Sequence, residues 1–381
     1  MKTIYRYVII AIVLLGAIYY LLPQNNNINL GLDLKGGMHV ILGVQVNKAV
    51  EAKLNSIVSQ LKRDLLDKSV DYAYIRKVGN KIEIALKIDS SELVKGIIDK
   101  NYPYFEISSW QESDKKLTLV LSENEAERIK NYAVDQALQV VRNRVDEFGV
   151  TEPVIQKQGQ YQILVQLPGV TDPKRALELI GKTAQLEFYL VDEDIDMRNV
   201  LSGNIPPDDI VLYQKLYDDK GREINKIPYP LKRPPVLTGE YLSDAEVRIS
   251  PQYNQPYVMI RFDAVGSKLF EEITSNNVGK KLAIVLDNQV YSAPVIREPI
   301  AGGIAQITGD FTMQEARDLA VVLRAGSLPA PVEILENRTV GPSLGRDSIE
   351  SGIKAAIIAL IMVIAFLAYY YKLAGIFANI A

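Results

Sequence analysis

The sequence has no cysteine and a single histidine, His39. The first absence removes disulfides, thiolate-ligated zinc, iron–sulfur clusters and thiol nucleophiles together. The second leaves His-ligated metal or Ser–His–Asp chemistry one residue to run through. A basic surplus is also missing: 43 Lys and Arg stand against 46 Asp and Glu, a net charge of −3. Proteins that hold nucleic acid by its phosphates usually carry excess positive charge, so sequence-independent nucleic-acid binding is not expected. With 48% hydrophobic and 23% charged residues the chain is not a disordered one.

The apolar residues are unevenly placed. Tyr7–Leu22 (YVIIAIVLLGAIYYLL) and Ala355–Tyr371 (AAIIALIMVIAFLAYYY) carry no charge. A bilayer core of about 30 Å needs about 20 helical residues. Flanking residues complete both runs, giving expected spans over 4–22 and 353–371. Tyrosines at the run ends suit the membrane interface. The first run lacks small residues at a cleavage spacing, so it reads as an uncleaved anchor rather than a signal peptide. Lys2, Arg6 and Lys372 favour the cytoplasm for both ends, which puts everything from about Pro23 to Ser351 on the far side. A further apolar stretch, 373–381, is too short to span and reads as a third span cut short, so a fragment is expected. Neither complete span contains Asp, Glu or His, so these two helices cannot carry a proton relay.

Between the spans one order of elements is expected twice. A strand over Met38–Val46, an apolar-striped helix over Asn47–Asp67, a hairpin around Gly79-Asn80, a Ser-capped helix over Ser90–Lys100 and a strand over Tyr104–Trp110 give βαββαβ. The order returns with strand Lys116–Leu121 and a helix from the Ser122/Glu125 capping box to the Gly149 stop. A hairpin around Gln158–Gln160, a helix started by Asp172-Pro173 and strand Leu186–Val191 complete it. Two ferredoxin-like units are the expected fold. Asp192–Gly239, with PPDD, YDDKG and IPYPLKRPP, reads as irregular with one short helix. A further α/β unit begins at Pro256, with a Thr312/Glu315 capping box on its last helix and Gly326 as the stop.

Three enzyme-like strings fail on context. Gly181-Lys182-Thr183 ends a helix rather than starting one, and Ala176 stands where a P-loop needs glycine. Ser59-x-x-Lys62 lies on an amphipathic helix without the partner motifs of a Ser–Lys acylase. His39 begins a strand beside Gly36-Gly37 and reads as structural or surface. The strings GLDLKGG at 31–37, Gly302-Gly303 and GPSLG at 341–345 read as turn geometry that glycine permits, with Asp33 capping backbone N–H groups in its turn. No catalytic constellation, metal set or cofactor site emerges.

Several separated blocks carry a family resemblance: GLDLKGGMHVIL at 31–42, VVRNRVDEFGVTEPVIQKQGQYQILVQLPGV at 140–170, GKKLAIVLDNQVYSAPVI at 279–296 and EARDLAVVLRAGSLPAPVEILENRTVGPSLGRDSI at 315–349. In these the chain resembles the SecD family of membrane subunits that assist bacterial protein export. Only 48–115 falls outside the match.

The resemblance implies an α+β membrane protein of the bacterial inner membrane, whose large periplasmic domain has a base and a head. Here the base would be 28–183 with a return over 326–345, and the head 184–325. It implies SecF, the SecYEG translocon, unfolded preprotein and the lipid bilayer as partners. It also implies use of the proton-motive force, through a carboxylate in a later span that is not present here. The family-type motif positions would be Gly31, Asp33, Gly36, Gly37, Arg144, Glu152, Pro153, Gly341, Pro342 and Gly345. Hinges are expected where the chain passes between base and head, at Thr183, Ala184 and Gly326. The alternative is a resistance–nodulation–division efflux transporter, which also places paired ferredoxin-like units outside the membrane.

Overall fold

The computed structural model describes residues 36–372 and 375, apart from 89, 112, 114, 202–204, 207, 208, 218–222, 253, 310 and 341. The expected first span, Gly31, Asp33, Gly341 and almost all of 373–381 lie outside these residues.

The double βαββαβ order is present. It runs β1 (Gly37–Val44), α1 (Val46–Asp67), β2 (Tyr72–Val78), β3 (Lys81–Leu86), α2 (Ser91–Asn101) and β4 (Phe105–Gln111), then β5 (Lys116–Leu121), α3 (Glu123–Phe148), β6 (Val154–Gln158), β7 (Gln162–Pro168), α4 (Pro173–Gly181) and β8 (Leu186–Leu190). The pairing, however, is not that of two tandem units. One sheet has the order β2-β3-β5-β4, with all its pairings antiparallel, so it takes its fourth strand from the second repeat. Burial explains the exchange. Leu117, Leu119 and Leu121 of β5 complete a core with Ile82 and Ile84 of β3 and with Leu54, Ile57, Leu61 and Leu65 of α1. β1 is buried along nearly its whole length and therefore needs neighbours on both sides. It finds them in β7 and in β17 (Val332–Val340), in a sheet ordered β17-β1-β7-β6.

Local start and stop signals act largely as expected. Gly149 ends α3 in the left-handed region at φ 78°. The Asp172 side chain accepts from Arg175 N at the start of α4. The Ser122/Glu125 box is only half formed. Ser122 Oγ accepts from Glu125 N, but the Glu125 carboxylate turns to Arg128 at 2.6 Å. Ser90 likewise stands at the cap of α2 without a side-chain cap bond.

The stretch expected to be irregular is a correction. After α5 (Met197–Leu201) come β9 (Asp209–Tyr217) and β10 (Glu223–Lys232), a long antiparallel pair. Pro228 and Pro230 hid β10, because proline cannot donate to a ladder. They are tolerated here because β10 is the edge of its sheet. That six-stranded sheet is ordered β10-β9-β15-β14-β8-β11, where β11 is Leu237–Thr238, β14 Leu282–Leu286 and β15 Gln289–Ser292.

The central β14 is buried at every position. Its two faces meet different cores. One holds Phe188, Phe262 and Phe270, with ring centroids 5.0–6.0 Å apart. The other holds Leu212, Leu231, Val285 and Val290. A second strand missed by sequence, β12 (Leu242–Ile249), joins β13 (Pro256–Phe262) and β16 (Ile304–Ile307) in a three-stranded sheet. Two helices complete this part: α6 (Ala264–Asn276), and α7 (Met313–Ala325) with its full Thr312/Glu315 box.

The chain divides into two compact units. One takes described residues 36–38, 166–171 and 338 onward, and the other takes 39–165 and 172–337. In the first, Gly169 N donates to Gly36 O at 2.8 Å, and α8 (Pro342–Tyr371) carries a 22-residue apolar stretch, Glu350–Tyr371. Ile357, Leu360, Ile361, Val363 and Phe366 are all exposed along it, long and apolar enough to cross a membrane. The turn expected at 341–345 is corrected: Pro342 opens the helix and Gly345 lies within it, since proline in the first turn costs no hydrogen bond.

Candidate functional site

Within the larger unit the chain twice crosses between its sheets, at 182–185 and at 324–328. One side chain holds both crossings. Arg144 projects from the apolar face of α3, flanked by Val141 and Val145, and is 1% exposed. Its Nη1 donates to Leu179 O and Ile180 O, each at 3.0 Å, and to Lys182 O; its Nη2 donates to Gly326 O at 3.0 Å. These are the carbonyls a helix cannot satisfy for itself. They end α4 and follow α7, where the helix dipole is negative. A guanidinium suits the place, because its planar fork serves several acceptors while its charge meets two helix C-termini. Burial lowers the Arg144 pKa to about 10, opposed by the negative charge of Asp287, so the group stays cationic at neutral pH. Its Nε has no hydrogen-bond partner.

The two crossings are also bonded to each other. Leu328 N donates to Thr183 O at 2.9 Å. Asp287, in the β14–β15 turn, accepts from Ala184 N at 3.1 Å and from Gln185 N at 2.9 Å. Ala184 is buried and left-handed at φ 55°, a conformation an L-residue adopts only when its surroundings impose it. Gly326 takes φ 93°, which glycine adopts freely.

Two further arginines tie helices together around this point. Arg175 of α4 holds Asp318 of α7 with two bonds of 2.8 and 3.2 Å, and stacks over Phe148 at 5.3 Å. Arg324 of α7 reaches Glu147 of α3 at 2.9 Å, Asp244 of β12 at 3.0 Å and Ala245 O at 2.7 Å.

Of the residues singled out by sequence, Arg144, Thr183, Ala184 and Gly326 are therefore brought together. Glu152, at φ 55°, and Pro153 instead lead into β6. Gly36 and Gly37 open β1 with φ 73° and 139°. His39 sits in β1, and among the described residues the Ser59 hydroxyl donates to its own helix, at Asn55 O. Sequence reading missed Asp287, Arg175, Asp318 and Glu147, and took Arg324 only as the start of the hinge segment 324–327, without its bonds to Glu147 and Asp244. The first sits in a recognised hairpin turn and the others on recognised helices, but nothing local distinguishes them from ordinary surface charges. Among the described residues no cluster of His, Asp and Glu could hold a metal ion.

Beside the crossing, Glu187 on β8 accepts from Tyr189 Oη and Gln185 Nε2, both at 3.2 Å. Burial raises its pKa above the usual 4.5, with the Tyr189 hydrogen bond opposing and the Asp287 charge adding. A folded-state pKa above the unfolded one makes the folded protein bind the proton more tightly. The stability this contributes is present at low pH and is lost as pH rises above 4.5. Glu187→Gln should therefore raise the Tm at about pH 8 and leave it nearly unchanged at about pH 4. Thermal melts at the two pH values check this, and equal shifts at both would contradict it.

Comparison with known proteins places two family models on the chain: "SecDF, P1 head subdomain" over 212–330 and "Protein translocase subunit SecDF, P1 domain, N-terminal" over 134–193. The protein translocase subunit SecD of Calditerrivibrio nitroreducens is 57% identical over 381 residues, covering 99% of this chain and 74% of that protein. SecD of Desulfurispirillum indicum is 44% identical over 382 residues, covering 100% of this chain and 74% of its own length. A crystal structure of SecDF in its super-membrane-facing form matches at 29% identity with TM-score 0.49, over 97% of this chain and 39% of that one.

Proposed function

The chain belongs to the SecD family of protein translocase subunits, and on that premise we propose how its outer region serves export. As a SecD it is a component of Sec protein export, a transport subunit and a membrane protein. Beyond that, we read 36–340 as lying on the periplasmic side, with the first span and α8 as anchors. The outer region binds emerging, unfolded preprotein beside SecYEG. With SecF it uses the proton-motive force to draw that preprotein outward. Residues 355–371 of α8 contain no carboxylate, Lys, Arg or His, so proton uptake is assigned elsewhere.

The base, 28–183 with 326–345, and the head, 184–325, move relative to one another about the Arg144 crossing. The single observation behind this is that one buried guanidinium binds carbonyls of both passages of the chain. The two backbone passages that meet at Arg144 are read as the axis of motion, and the helix contacts beside them, Leu179 and Phe148 against the core of the head, as the surfaces that slide. The two four-stranded sheets are read as ferredoxin-like layers with exchanged strands, supported by the twice-repeated element order.

The relatives described above support export and give the efflux alternative no support. Depleting the protein from its cells should make secreted precursors accumulate while drug tolerance stays unchanged. Drug sensitivity without precursor accumulation would reverse the assignment.

A further inference from the structure

A protein that binds unfolded chains of many sequences needs contacts that do not depend on side chains. An unpaired strand edge offers them, since its free N–H and C=O groups match any extended backbone. Folded proteins guard such edges with charge, proline, bulges or brevity. Most outer strands here are guarded. β10 has Pro228, Pro230 and a register shift, β2 has Arg76, Lys77 and a register shift, and β4 has Glu106 and a register shift. β6 has Lys157, β17 has Glu333, Glu336 and Arg338, and β11 has only two residues. β12 is covered at Ala245, whose carbonyl accepts from Arg324.

β16, four residues long, carries no charge, proline or register shift. It reads Ile304-Ala305-Gln306-Ile307 and ends its sheet, paired only with β13 in an unbroken antiparallel register from Val258↔Ile307 to Arg261↔Ile304. Phe262 N donates to Gly303 O at 2.8 Å, which fixes the phase of the ladder. Residues 303, 305 and 307 turn their backbone groups toward β13, and Ile304 and Gln306 turn theirs outward. Among the described residues these outward groups have no hydrogen-bond partner, and both side chains are exposed. Ala305 and Ile307 point into the core and hold the strand rigid. Gly303 enters it at φ 63° with Ser267 Oγ only 2.0 Å from where a Cβ would stand, so the start of the strand is fixed as well.

We propose that the free edge of β16 captures preprotein by β-strand addition, an extended segment of the exported chain pairing with Ile304 and Gln306 as a fourth strand of the β12-β13-β16 sheet. This deepens the export reading above and rests on it. The occupant is an extended, uncharged polypeptide stretch, because the outward side chains supply one aliphatic and one amide surface and no charge.

The test measures binding of a fluorescein-labelled, Val/Thr-rich synthetic peptide to the full chain in detergent. Its partner is the same peptide N-methylated at alternate residues, which lacks half its backbone donors. Gln306→Pro removes an outward donor at an edge position where proline is tolerated. Gln306→Lys keeps the backbone and adds an edge charge. The expected result is that N-methylation and Gln306→Pro each weaken binding about tenfold while the melting temperature of the variant stays near wild type. Gln306→Lys should weaken it in the same direction.

Binding of the unmodified peptide that neither N-methylation nor the variants disturb would overturn strand addition and leave polypeptide binding intact. No binding to the wild-type chain would overturn both. A dimer in sedimentation that Gln306→Pro dissolves would assign the edge to a second copy instead, which also overturns the proposal.

Discussion

Arg144→Ala is expected to destabilise the outer region by about 3–5 kcal/mol, the cost of breaking a buried, hydrogen-bonded charge on one side only. The loss has two parts. The guanidinium bonds to Leu179, Ile180, Lys182 and Gly326 disappear, and the carbonyls they served stay buried without a donor. Asp287 also loses the positive charge that faces it. Arg144→Lys should recover little, since one ammonium cannot reach carbonyls on both crossings at once. Arg144→Met, which refills the volume without charge, should fall between wild type and alanine. Chemical denaturation of the three variants checks the order. A loss under about 1 kcal/mol for Arg144→Ala would show that the crossings are held by packing around Leu328 and Ala330 instead.

The second large effect concerns motion. The ion pair Arg175–Asp318 joins α4, on the side read as base, to α7, on the side read as head. Removing it should change stability by about 1–2 kcal/mol, because the pair is part-buried and multiply hydrogen-bonded. Replacing it by a covalent link should matter far more. The native chain has no cysteine, so Arg175→Cys with Asp318→Cys gives one cross-linkable pair. A short bis-maleimide with a cleavable disulfide is preferable to a direct disulfide, which tolerates only a narrow range of Cα separations. Membrane insertion should be unaffected. Release of exported preprotein from spheroplasts should slow about tenfold and recover when the linker is cleaved. Normal release by the linked protein would remove the moving crossing from the mechanism and leave membership of the export machinery untouched.

The residues that sequence reading found at the crossing and those it missed differ in kind. Gly326 and Ala184 lie at boundaries between elements, and boundaries leave local marks. Arg144 entered only through the resemblance of its block, because a single arginine on a long amphipathic helix looks like a solvated one. Its burial depends on Leu179, Ile180, Lys182 and Gly326 converging on it. Asp287 was hidden in the same way, inside a turn whose hairpin geometry already accounted for it.

The sequence by itself determined the uncharged run that becomes the apolar part of α8, the order of most strands and helices between 37 and 340, and most of their boundaries. Each of those depends on residues within a turn or two of one another: a period of two or 3.6, a capping side chain, a glycine at positive φ. It also determined the family, through blocks that keep their order along the chain. The tertiary structure alone decided that β1 pairs with β7 and β17 rather than with its sequence neighbours, that the proline-bearing β10 is an edge strand, and that the uncharged β16 is an edge strand too. It also decided that one buried arginine closes both crossings. Strand pairing and buried hydrogen bonding are settled by which distant surfaces exclude water together, and no local pattern encodes that choice.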